Sequence, residues 1–92
     1  MFDVRGVAAA YGVRVELADL GDWAAVTLVA EYDPDGPVIR VNERAQGAAI
    51  DHAIAHELYH HREAIGEVPR LAGRAARERA ADAFADEFVR PR

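Results

Sequence analysis

The sequence predicts an α+β fold: a small three-stranded antiparallel sheet packed on a long central helix and a C-terminal helix, with a short N-terminal helix. Three observations lead there. Apolar residues alternate from Val13 to Leu17, the turn-forming Asp33-Pro34-Asp35-Gly36 separates two β-branched runs, and two later segments carry apolar residues at helical spacing. A chain of 92 residues is long enough for one modest core and too short for a separate substrate domain, so residues 1–92 are read as a single minimal domain.

From Phe2 to Tyr11, the residues Val4, Val7, Ala8 and Tyr11 recur at helical spacing, and Gly12 is a natural stop. Val13, Val15 and Leu17 then alternate with Arg14 and Glu16, as in a half-buried strand, and Gly21-Asp22 offers a turn. The run WAAVTLVAEY, the DPDG turn and the run PVIRVNE read as a hairpin that completes the sheet. Val38 to Val41 is either an edge strand open to an extended substrate or a plain interior strand.

The helix expected from Ala45 to Ile65 places Ile50, Ile54, Leu58 and Ile65 in one apolar sector at about 100° per residue. His56 and His60 fall together on the opposite side, and His61 projects toward the apolar sector as a structural residue. Gly66 and Pro69 end this helix. The last helix, from Arg74 to Val89, has an apolar sector of Ala81, Phe84, Ala85 and Phe88, with Arg79, Asp86 and Arg90 on the wet side. Glu78 and Asp82 border the buried stripe, where an unpartnered charge would be costly.

Composition removes several classes of function. Net charge is −5 and the arginines are scattered, so no basic footprint for nucleic acid is present. No run approaches the roughly 18 apolar residues of a membrane span, and the start MFDVRGVAAAYG lacks a basic stretch followed by a long apolar run; a cytoplasmic location is expected. The chain has no Cys, no Ser and a single Thr, Thr27, which excludes thiolate metal sites and Ser or Cys nucleophiles. All 11 Lys or Arg positions are Arg and Ala is abundant, a bias expected of a GC-rich bacterium or its phage.

His56-Glu57-Leu58-Tyr59-His60 matches the pattern H-E-x-x-H. On a helix, positions i and i+4 bring two Cβ atoms to about 5–6 Å, the separation at which two imidazoles grip one ion. His56, His60 and Glu78 therefore form a candidate three-ligand zinc site with a fourth position left for water. Zinc acidifies water, and Glu57, about 100° around the helix from His56, is placed to take the proton as general base. Asp82 suits an outer role, accepting the free N–H of a ligating imidazole, with Asp86 the fallback. His52 and Tyr59 are candidate contacts for substrate or an oxyanion, against the plainer readings of an exposed histidine and a packed ring.

The segments AIAHELYHH and ERAADAFADEFVRP together resemble the ImmA/IrrE-type metallopeptidases of bacteria and their phages, relatives of the thermolysin-like gluzincins. The second segment is similar to that family's Glu-x-x-Ala-Asp/Asn-x-Phe-Ala helix ending in proline, here Pro91. Tyr59 stands where the family commonly has Gly. The resemblance implies Glu57 as base, His56, His60 and Glu78 as zinc ligands and Asp82 as partner of a ligating histidine. It also implies cleavage of a helix-turn-helix repressor of phage, mobile-element or stress-response genes. The alternative is a zinc-binding module that sequesters a repressor without cutting it. The ligand set would accept Mn, Fe, Co or Ni as well as zinc in vitro.

Overall fold

The computed structural model describes residues 4–20, 30–43 and 48–89. In chain order these form α1 (Val4–Ala10), β1 (Arg14–Ala18), β2 (Ala30–Asp33), β3 (Val38–Asn42), α2 (Ala48–Ala64) and α3 (Arg74–Val89). The architecture is α+β, and the strands run in the order β1-β3-β2.

The short first helix closes on a Schellman motif. Gly12 sits at φ 75°, its N–H donates to the carbonyl of Ala9 at 2.9 Å, and the Val13 N–H donates to that of Ala8 at 2.9 Å. Glycine reaches this left-handed conformation without the strain a Cβ would bring. The same motif ends α2: Gly66 at φ 79° donates to Glu63 at 3.1 Å, and Glu67 donates to Arg62 at 2.9 Å.

β2 and β3 form the expected antiparallel hairpin, with Asp33 paired to Val38 and Ala30 to Val41. Its turn is shaped by the Asp33 carboxylate, which accepts the Asp35 N–H at 2.9 Å. β1, by contrast, pairs with β3 in parallel, Arg14 opposite Val38 and Ala18 opposite Asn42. The sheet is therefore mixed rather than antiparallel. Side-chain alternation has the same period in either direction, so it carries no information on strand polarity. β3 is the central strand, bonded on both sides, which leaves Val38 to Val41 no free edge for a substrate. Of the run from Trp23 to Tyr32, residues 23–29 lie outside the described residues, as do residues 45–47 of the expected long helix and Arg90 and Pro91 beyond the last one.

The core joins Val4, Ala8, Val13, Ile39, Val41, Ile54, Leu58 and Ala85. Ile39, Ile54 and Leu58 are fully buried, and burying each such side chain stabilises by about 1.5–3 kcal/mol. α2 packs against β2 and β3, α3 packs along α2, and α1 rests on β1 and α2. Two apolar residues assigned inward from their spacing lie outside: Leu17 is 70% exposed and Ile65 is 54% exposed. Leu17 sits near the end of edge strand β1, beyond the reach of the core, and Ile65 follows the last residue of α2, where the helical phase no longer applies.

His61 projects into the core at 5% exposure, and its Nδ1 shares a hydrogen bond of 2.7 Å with the Tyr32 hydroxyl. Tyr11 meets the same ring edge-on at 5.9 Å between centroids, so one imidazole ties α1 and β2 to α2. Burial holds its pKa below the ordinary histidine value, against the opposing pull of Glu67. The unfolded chain then binds more protons than the folded one in mildly acid solution. The stability from His61 is full above about pH 6.5 and is lost as pH falls through the lower folded value. In a nitrogen-resolved NMR titration the His61 ring should remain largely neutral at pH 6.5; a half-protonated ring at that pH contradicts the assignment.

Candidate metal centre

α2 carries His52, His56 and His60 at successive turns, and α3 carries Glu78, Asp82 and Asp86 at the same interval. The two helices run antiparallel, and the residues meet in order. His60 Nε2 lies 3.2 Å from Glu78 Oε1 and His56 Nε2 lies 2.9 Å from Glu78 Oε2. His56 Nδ1–H donates to Asp82 at 2.7 Å, and His52 reaches Asp86 at 2.8 Å. Ala81 and Ala85 on α3 are fully buried, and their short side chains let the backbones approach closely enough for these contacts.

The protonation pattern follows from the partners. The Asp82 carboxylate accepts from His56 Nδ1, and the Glu63 carboxylate accepts from His60 Nδ1 at 2.7 Å. Ionised carboxylates only accept, so each Nδ1 donates to its own carboxylate, and Nε2 is the ring nitrogen each histidine turns toward Glu78. Those Nε2 atoms are 3.3 Å apart and both face the Glu78 carboxylate. With both imidazoles neutral, these three groups offer acceptor atoms to one point, an arrangement that a cation would stabilise. Tetrahedral zinc, with bonds of about 2.0–2.1 Å, spaces its ligand atoms about 3.3 Å apart. His56, His60 and Glu78 offer three ligand atoms within 4.8 Å of one another, the one such group among the described residues. The donor set fits a divalent cation.

Glu57 stands outside that triad. Burial pushes its pKa up to about 7, with Glu78 and Glu31 raising it further and His56 and His60 pulling against them. Its carboxyl therefore changes protonation near neutral pH and feels both imidazoles. Glu31 reaches this region from β2, a residue to which the sequence drew no attention.

The remaining residues singled out by the sequence fall as follows. The Tyr59 ring lies 5.7 Å from Phe84 and 6.2 Å from His60, measured between centroids, and so packs α2 on α3 beside the site. His52 is engaged by Asp86 at the outer end of the ladder. Glu63 was missed. Its side chain is 2% exposed, it accepts from His60, and it receives Nε and NH2 of Arg77 at 3.3 and 3.2 Å. Burial pushes its carboxyl up, but the Arg77 and His60 contacts outweigh this and hold it below the ordinary glutamate value. The available signal was its i+3 position from His60. A hollow of about 220 Å³ opens beside His60, with Tyr32, Pro34, Arg70 and Arg77 among its walls.

Comparison with protein-family models, with curated proteins and with solved structures finds no significant match to this chain.

Because Asp82 holds the His56 ring through Nδ1, its loss should loosen that ligand without removing it. Asp82→Ala is expected to weaken zinc affinity about 10- to 100-fold while one zinc per chain is retained at saturation. Competition with a chromophoric chelator measures this, and an affinity equal to wild type would show that Asp82 does not orient the ring.

Proposed function

We propose that this chain is a zinc-dependent endopeptidase of the ImmA/IrrE type, acting on a cytoplasmic protein, with a helix-turn-helix transcriptional repressor as the substrate class. One observation supports the reading above the others: His56, His60 and Glu78 bring three possible ligand atoms within 4.8 Å of one another, while Glu57 sits beside them with a carboxyl that titrates at about 7. Structural zinc sites use four protein ligands, whereas three leave a position for chemistry. Among the described residues no helix is long and apolar enough to cross a membrane, which agrees with a substrate met in solution.

In this reading His56, His60 and Glu78 hold the ion. When bound, a divalent cation polarises a peptide carbonyl and acidifies water. Glu57 accepts the proton from the attacking water and returns it to the departing amine. A group that titrates near 7 suits both halves of that transfer, and a neighbouring cation favours its ionised, proton-accepting form. The hollow beside His60, at about 220 Å³, is below the roughly 300–1,000 Å³ of pockets that engulf a ligand. It has room for one side chain of a substrate.

The competing reading, a zinc-binding module that sequesters a repressor, draws on Tyr59, which stands where the resembled family commonly has glycine and whose ring lies 6.2 Å from that of His60. Glu57→Gln separates the two. It keeps size and hydrogen-bonding reach but removes the base, so zinc content and partner binding should persist while cleavage falls about 10²- to 10⁴-fold. The measurement is intact mass of a panel of helix-turn-helix repressors incubated with zinc-loaded protein. Wild type should yield fragments and the variant full-length chains; relief of repression by the variant equal to wild type, with the repressor intact in both, defeats the peptidase reading.

A further inference from the structure

Glu63 is a carboxylate almost wholly covered from solvent, and its surroundings are unusual. Its side chain is 2% exposed, whereas that of Asp82, which serves the other histidine, is 58% exposed. It spans two helices, joining His60 on its own helix to the Arg77 guanidinium on α3. Arg77 is 27% exposed, so the pair is half-buried, and ion pairs that are partly desolvated yield little net stability, apolar replacements often being neutral or better. Helix docking alone therefore does not account for this pair.

The third contact does. An imidazole can turn about its Cβ–Cγ bond and can carry its proton on either nitrogen. Glu63 accepts from Nδ1, which places the proton there and turns Nε2 toward His56 Nε2 and Glu78. Arg77 in turn occupies both Glu63 oxygens, within 3.2–3.3 Å, so the carboxylate cannot rotate away from the ring.

We infer that Glu63, clamped by Arg77, is the positioning residue for His60, so that cation affinity is tied to the docking of α3 on α2. The inference rests on the metal-centre reading above. Asp82 acts on His56 from a solvent-exposed position, where a charge-assisted bond is screened and weak. Glu63 acts from the interior, and its removal has the larger effect of the two.

The test is zinc affinity by chelator competition, together with the His60 tautomer read from ring nitrogen shifts in metal-free protein. The principal variant is the double substitution Glu63→Met with Arg77→Met, which leaves no uncompensated buried charge. It should melt cooperatively with little change in stability, bind zinc about 10- to 100-fold more weakly and with a greater loss than Asp82→Ala measured alongside it, and lose the fixed Nδ1–H form of His60. Glu63→Gln keeps the shape and a neutral acceptor, and should show a smaller loss of affinity; it carries the test if the double variant fails to fold. Wild-type affinity and an unchanged tautomer in either folded variant overturn the inference. If the wild-type chain binds no zinc, the metal-centre reading fails, while the tautomer comparison still decides whether Glu63 positions His60.

Discussion

Two helices carry complementary residues on every turn of their shared face, and the rest of the site depends on that register. His52, His56 and His60 meet Asp86, Asp82 and Glu78 in antiparallel order. Exposed pairs of this kind contribute little to stability, about 0–1 kcal/mol each. What brings the helices together is the apolar contact beneath, where fully buried Leu58, Ala81 and Ala85 lie. The ladder then selects which rotamers and tautomers the histidines adopt. A slip of one residue along either helix would rotate each partner by about 100° and dissolve the arrangement.

The sheet contributes by fixing α2 from its other side. β2 and β3 cover Ile54 and Leu58, and Tyr32 anchors His61 at the end of the same helix. Adjacent histidines thus have opposite characters. His61 lies in the core, where burial disfavours its charged form, whereas His60, one residue earlier, turns Nε2 toward Glu78. The division is set by the helical period, which points successive side chains about 100° apart. Glu57 draws its shifted pKa from the same geometry, lying between the wet and dry faces of α2, where burial penalises its charge.

How much of this was legible in the sequence depended on range. Helical spacing places His56, His60 and His61 on their proper faces, and the bounds of α3, Arg74 to Val89, follow from the loop residues before it. The hairpin was legible because DPDG dictates a local turn. The polarity of β1 was not, since it depends on the path of the chain between β1 and β2, and nothing in the alternation from Val13 to Leu17 records that path. Leu17 and Ile65 show a second limit: spacing assigns a face, but an apolar residue at the end of an element can lie past the neighbours that would cover it. Glu63 and Arg77 show a third. A glutamate three residues after a histidine is ordinary on a helix surface, and only the docking of α3 buries it and gives it a partner.

Two imidazole Nε2 atoms and one carboxylate oxygen converge, and we propose that they hold a cation. X-ray absorption at the zinc edge, on protein loaded with one equivalent of zinc at neutral pH, addresses it most directly. The account predicts a four-coordinate nitrogen and oxygen shell at about 2.0–2.1 Å with the outer scattering of two imidazole rings. A six-coordinate aqua shell without imidazole scattering, or a single-imidazole spectrum, would contradict it.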